Sequence, residues 1–168
     1  FGTHAPVVNI QLCHGCGVCE LVCPQKAIKD SKASIGIMNI KNQESFCFLE
    51  GILDIGEPNP VPLIHAVLKK ADSLPFPQII DGPPGNACPM VAAVEQSNFV
   101  ILVTEPTPFG LSDLALATET VRELHIPAGV VINRSDLGNI EEAEIFCNNL
   151  ALPILARLPF SKEVARAY

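Results

Sequence analysis

Apolar runs alternate with stretches of helical periodicity from residue 33 to the end of the chain. Phe99–Thr104 (FVILVT) and Ala128–Asn133 (AGVVIN) are almost continuously apolar, which is typical of strands covered on both faces. Further strands are predicted at Ile35–Ile40, Phe46–Ile55, Gln78–Asp81 and Pro153–Leu158. Helices are predicted at Val61–Ala71, Pro89–Gln96, Ser112–Leu124 and Ile140–Asn149, with a last one capped by Ser161.

This order of elements predicts an α/β fold with a mostly parallel sheet, right-handed crossovers and helices on both faces. The composition changes near residue 33, so two domains are expected, residues 1–32 and residues 33–168. Ligands of parallel sheets bind beyond the carboxyl ends of the strands. The polar or turn residues that follow the predicted strands are therefore candidates for a binding site: Asp81, Glu105, Asn133 and Pro159.

Composition argues against several classes of protein. Hydrophobic residues make up 48% of the 168 residues, which allows a sizeable core, and the net charge of −7 argues against a nucleic-acid partner. No apolar run approaches the roughly 20 residues of a membrane span. The seven cysteines are an odd number and four of them fall within eleven residues, which favours a reducing, cytoplasmic location and a metal site over disulfides.

Four cysteines form a run with the spacing C-x2-C-x2-C-x3-C-P, which is the spacing of bacterial ferredoxins: Cys13, Cys16, Cys19 and Cys23. It predicts a [4Fe–4S] cluster, with Gly15 and Gly17 leaving room for the cluster sulfides. Zinc is the alternative, although a zinc site normally shows two separated cysteine pairs. In two-cluster ferredoxins the fourth cysteine serves the other cluster, and no second run occurs here. Its natural place is before Phe1, so we expect an N-terminal truncation.

A second candidate site begins at Asp81, which ends an apolar run and precedes Gly-Pro-Pro-Gly. The carboxylate could hold a magnesium-bound water, and the N–H of Gly85 could approach a phosphate. The alternative is a surface aspartate in a tight turn. After the later strand, Asn133 and Asp136 could recognise a purine base. The isolated Cys47, Cys88 and Cys147 are predicted to be small apolar side chains in or near the core.

Four segments together resemble the MinD-superfamily P-loop ATPases that carry an inserted ferredoxin domain: IIDGPPGNACP, VTEPTPFGLSDL, GVVINRSD and ILARLPFSKEVARAY. That superfamily includes Mrp-type and cobyrinic acid a,c-diamide synthase nucleotide-binding domains. The resemblance implies that Asp81 is the catalytic, Walker-B-type acid and that Gly85 ends the second switch. It implies ATP with Mg²⁺ as a cofactor, with Asn133 at the adenine and Pro159 lining the base pocket. Glu105 and Asp136 are candidates for the same site because they follow predicted strands.

The resemblance further implies a homodimer with an unidentified client or redox partner. One departure is decisive: no G-K-[ST] loop occurs in this sequence, so the chain alone is not expected to hydrolyse ATP, whereas the intact protein is. Two other functions stay open. One is a non-hydrolysing electron-transfer or cluster-carrier module. The other is a cobyrinic acid a,c-diamide synthase-like ligase, for which no glutaminase nucleophile is evident.

Overall fold

The computed structural model describes residues 7–9, 12–13 and 15–167. The chain divides into two compact units, Phe1–Gln78 and Ile79–Tyr168. The change of composition at residue 33 falls inside the first unit, and the domains 1–32 and 33–168 stay a prediction. None of the described helices combines the length and the apolar character that crossing a membrane requires.

The first unit is a short helix followed by a hairpin and a longer helix: α1 (Val18–Val22), β1 (Gly36–Asn42), β2 (Cys47–Leu53) and α2 (Val61–Ala71). The two strands are antiparallel, with Gly36 opposite Leu53 and Asn42 opposite Cys47. A side chain on Gly51 would meet Leu63 and Val67 of α2, so the glycine lets the helix approach the hairpin closely.

The second unit contains a three-stranded sheet and four helices among the described residues: α3 (Cys88–Val94), β3 (Val100–Thr104), α4 (Pro108–Glu123), β4 (Ala128–Asn133), α5 (Ile140–Asn149), β5 (Ile154–Leu158) and α6 (Lys162–Ala167). The strands are parallel and lie in the order β3-β4-β5, so α4 and α5 are crossover helices. The predicted parallel sheet is therefore confirmed for this unit. The strands of the other unit form an antiparallel hairpin instead.

Helix α4 begins four residues before the predicted start at Ser112. The side chain of Thr107 accepts a hydrogen bond from the Gly110 N–H at 3.1 Å, which makes Thr107 the N-cap. Pro108 occupies the first turn, where its missing N–H costs nothing. The sequence T-P-F-G therefore belongs to the helix start, and the predicted start at Ser112 was wrong.

The core lies between one face of the sheet and the helices that connect its strands. Val130 and Ile132 of β4 are fully buried together with Val121 of α4 and Cys147 of α5. On the other face of β3, Ile101 and Val103 are 57% and 66% exposed. Among the described residues, helices cover one face of the sheet. The prediction of helices on both faces is therefore confirmed for that face alone.

Two further predictions fail. Residues 78–81 form no strand and are exposed, and none of the described strands lies beside the isoleucines at 79 and 80 to pair with them. Cys88 is exposed at the start of α3, whereas Cys47 is half-buried and Cys147 fully buried, as predicted. The missing strand removes the reason for placing Asp81 at the carboxyl edge of the sheet.

The contrast between the two cysteines gives a stability test. We expect Cys147→Ala to lower the free energy of unfolding by about 1 kcal/mol, because it leaves a void of roughly one heavy atom in the core. Cys88→Ala is the matched control and should change stability by less than about 0.5 kcal/mol. Chemical denaturation of both variants measures the difference. Equal costs would contradict the burial assigned to Cys147.

Candidate functional site

The cysteine run lies on a loop and one short helix of the first unit. Cys13, Cys16 and Cys19 are exposed and Cys23 is half-buried. Gly15 and Gly17 have φ angles of 61° and 72°, in the left-handed region that favours glycine. The carbonyl of Gly17 accepts the N–H groups of Glu20 and Leu21, both at 3.1 Å, and this starts α1.

A hydrogen bond ties the chain beyond the run back to it. The backbone N–H of Asp30 donates to Oε2 of Glu20 at 2.8 Å. A Cβ on Gly17 would lie 3.2 Å from Oδ2 of Asp30, so this carboxylate sits directly beside the second glycine. Gly17, between Cys16 and Cys19, therefore lies against the carboxylate of Asp30, and α1 begins at the next residue.

Cys23 has an environment that favours its thiolate form. Its Sγ accepts the backbone N–H of Ala27 at 3.3 Å. That hydrogen bond lowers the pKa of Cys23, with smaller contributions from the N–H groups of Ile28, Gln25 and Lys26, against an opposing effect of burial. A thiolate is the form in which cysteine binds a metal.

The donor chemistry of the run fits an iron–sulfur cluster, since all four candidate ligands are thiols at ferredoxin spacing. The described geometry is open: in the ranges 7–9, 12–13 and 15–167, no group of three Cys, His, Asp or Glu side chains is placed to hold a metal ion.

The loops that follow β4 and β5 form a second set of contacts, at the carboxyl edge of the sheet. Oδ1 of Asp136 accepts the N–H of Phe160 at 2.7 Å, and the N–H of Ser135 donates to the carbonyl of Leu158 at 3.0 Å. Asn133 ends β4 and is half-buried, and Pro159 directly follows β5. The structure thus brings together three residues predicted for a base pocket: Asn133, Asp136 and Pro159.

Glu105 joins the same edge through a residue that the sequence analysis left without a role. Oε1 of Glu105 lies 3.3 Å from Nη1 of Arg134, and both side chains are about half exposed. Such an exposed ion pair contributes at most about 1 kcal/mol, so it orients the two side chains more than it stabilises the fold. The backbone of Arg134 has a φ of 48°. Its place directly after a buried strand is the sequence feature that could have predicted a position at this edge.

Close approach of two loops completes this edge. A Cβ on Gly138 would collide with the carbonyl oxygen of Pro106, so the absence of a side chain lets the loop after β4 reach the loop after β3. The N–H of Asn139 donates to that same carbonyl at 3.2 Å. Glycine at position 138 therefore has a packing reason that the sequence analysis missed.

Asp81 and Gly85 stand apart from these contacts. Both are exposed in a stretch without regular structure, and Gly85 has a φ of 92°. Within the described part of the chain, no hydrogen bond or ion pair connects either residue to the loops after β3, β4 and β5. The predicted roles of Asp81 at magnesium and of Gly85 at a phosphate stay predictions.

Comparison with known proteins bears directly on the cysteine run. Residues 6–29 match the 4Fe-4S binding domain. The match spans all four cysteines, so the chain carries a ferredoxin-type iron–sulfur segment with a cluster-binding or electron-transfer role. It does not extend to the α/β unit.

Two proteins of Methanocaldococcus jannaschii are similar over most of this chain. The uncharacterized protein MJ0579 is 28% identical over 158 residues, which cover 94% of this chain and 54% of the relative. The uncharacterized protein MJ0578 is 29% identical over 183 residues, covering 92% of this chain and 62% of the relative. The chain therefore spans less than two thirds of the length of either relative.

The glycine between the second and third cysteines gives a test of the site. Gly17→Ala should reduce iron retention, because alanine disfavours a φ of 72° and its Cβ would press on Asp30. Gly56→Ala is the matched control: Gly56 also has a positive φ, of 88°, but lies beyond the hairpin with open space around it. We expect iron per chain after anaerobic reconstitution to fall at least twofold for Gly17→Ala only. Equal retention in both variants would contradict this site geometry.

Proposed function

We propose that this chain is part of an iron–sulfur protein that couples a [4Fe–4S] cluster to ATP binding by a MinD-type nucleotide-binding domain. The observation that carries the proposal is the ferredoxin-type cysteine run followed by an α/β unit with a parallel sheet. The coupled task would be electron delivery, or the assembly of a metallocluster or cofactor. A homodimer acting on a client or redox protein is part of this proposal.

On the cluster side, the ligands would be the thiolates of the run: Cys13, Cys16, Cys19 and Cys23. A bound [4Fe–4S] cluster would supply one-electron chemistry. Three of the four cysteines are exposed, so a redox partner could approach this side of the unit. The hydrogen bond from the Asp30 N–H to Glu20 would keep the loop closed beside the cluster.

On the nucleotide side, support comes from the resemblance of four segments and from the contacts at the sheet edge. Asn133, Asp136 and Pro159 would face the adenine, because Asn133 ends β4 and the other two lie on the loops that follow β4 and β5. Asp81 would help to hold Mg²⁺ and Gly85 would approach a phosphate. The lysine-bearing loop that such chemistry needs would come from polypeptide outside these 168 residues.

A specific observation favours a second candidate, a cluster carrier or electron-transfer module that does not hydrolyse ATP. That observation is the match of residues 6–29 to the 4Fe-4S binding domain, which supports a cluster-binding or electron-transfer role without any nucleotide site. A ligase of the cobyrinic acid type has less support. Cys147 is fully buried, and burial raises its pKa, with a smaller contribution from Glu144, which disfavours the thiolate form that a nucleophile needs.

The metal identity is tested on the gene product that contains this chain. After anaerobic reconstitution we expect broad absorbance near about 400 nm, and about four irons for each cluster formed. Alanine at Cys16 should abolish that absorbance, whereas alanine at the exposed Cys88 should leave it unchanged. Stoichiometric zinc without the absorbance would overturn the iron–sulfur proposal.

The nucleotide part is tested at Asp81 in the same full-length protein. Asp81→Asn should weaken Mg²⁺-dependent ATP binding and slow hydrolysis at least a hundredfold, with the melting temperature nearly unchanged, because the residue is exposed. Asp113→Asn, an exposed aspartate on α4, is the matched control. Calorimetry and phosphate release measure the two effects. Unaltered hydrolysis in Asp81→Asn would refute this role, and absence of any ATP binding would favour the carrier function.

A further inference from the structure

Two carboxylate side chains lie beside the cysteine run, and neither is a candidate ligand of the cluster. Glu20 lies on α1 directly after Cys19, and its Oε2 accepts the backbone N–H of Asp30 at 2.8 Å. This hydrogen bond uses the main chain of Asp30 and not its side chain. The backbone of Asp30 is therefore fixed next to the run without the use of its own carboxylate.

The carboxylate of Asp30 lies against the segment that joins two of the cysteines. Its Oδ2 is 3.2 Å from the position that a Cβ on Gly17 would occupy. Gly17 directly follows Cys16 and precedes Cys19 by two residues, and both cysteines are exposed. A negative charge therefore lies within two residues of two candidate cluster ligands.

The lysines near Asp30 in the sequence do not neutralise this charge by direct pairing. Lys29 and Lys32 are exposed, as Asp30 is. Among the described residues, neither lysine forms an ion pair with the Asp30 carboxylate. Water and dissolved salt weaken the field of such an exposed charge, but at low ionic strength the field extends over about 30 Å.

A fixed negative charge in this place affects the uptake of an electron. Four thiolate ligands already make an iron–sulfur centre rich in negative charge, and one further electron adds to it. A neighbouring carboxylate raises the free energy of the reduced form more than that of the oxidised form, because like charges repel. The net charge of the site is among the factors that set the reduction potential of such clusters.

We propose that Asp30 lowers the reduction potential of the cluster bound by the cysteine run, through the charge of its carboxylate. The cluster is then a stronger one-electron donor to its redox partner than the four thiolates alone would make it. One electron enters from a one-electron reductant and leaves to an oxidised partner, and no bond of Asp30 forms or breaks. This inference rests on the cluster-binding role and is independent of nucleotide binding.

Redox titration of the full-length gene product tests the role, after anaerobic reconstitution and with dithionite as the reductant. Asp30→Asn removes the charge but keeps the backbone N–H that binds Glu20. At about 10 mM salt, we expect this variant to have at least about twice the ratio of reduced to oxidised cluster at a given potential. That ratio corresponds to a midpoint potential about 18 mV more positive than that of the wild type.

Two control variants separate the charge of Asp30 from other effects. Asp30→Glu keeps the charge and should stay close to the wild-type midpoint. Glu44→Gln removes an exposed carboxylate from the turn between β1 and β2, and the whole of β1 separates it along the chain from Asp30. It should leave the midpoint unchanged.

Salt provides the readout that a merely structural role would not move. At about 1 M salt, charges act over only about 3 Å, so the difference between Asp30→Asn and the wild type should fall by at least half. An unchanged midpoint in Asp30→Asn at wild-type iron content would overturn this role and leave the iron–sulfur proposal intact. A shift that does not diminish with salt, or loss of the cluster from Asp30→Asn, would also overturn it. A wild-type protein that takes up no cluster would overturn both proposals.

Discussion

Burial of one sheet face beneath α4 and α5 is the constraint on which the second unit depends. Val130 and Ile132 of the central strand have no exposed surface, and they fix β4 against both helices. Parallel strands place all their carboxyl ends at one edge, so the same packing decides which loops meet there. The contacts of Asp136 with Phe160 and of Glu105 with Arg134 follow from that arrangement.

The cysteine run depends on a different kind of order. Its described residues are mostly exposed and are held by local backbone geometry and by the hydrogen bond between the Asp30 N–H and Glu20. A bound cluster would add its binding free energy to the folding free energy of this segment, which buries little surface of its own. The hydrogen bond from the Ala27 N–H lowers the pKa of Cys23, which favours its thiolate form.

Elements with strong local signals were predicted residue for residue. The bounds of α2, β4 and α5 agree with the sequence analysis because prolines, strongly apolar runs and the capping Asn139 mark them locally. The strand predicted at residues 78–81 failed because a strand exists only by pairing, and no described strand lies beside it. The start of α4 was missed because Thr107 and Pro108 resemble a turn as much as a helix start.

The sequence by itself determined the ligand chemistry of this protein and the alternation of its α/β unit, because cysteine spacing and apolar periodicity are properties of neighbouring residues. Only the tertiary structure decided which side chains meet at the sheet edge and which sheet face stays open. Asp136 and Phe160 are 24 residues apart, and their contact depends on the order and register of the strands between them. Burial of either face is a property of the whole packed layer, so no single strand encodes it.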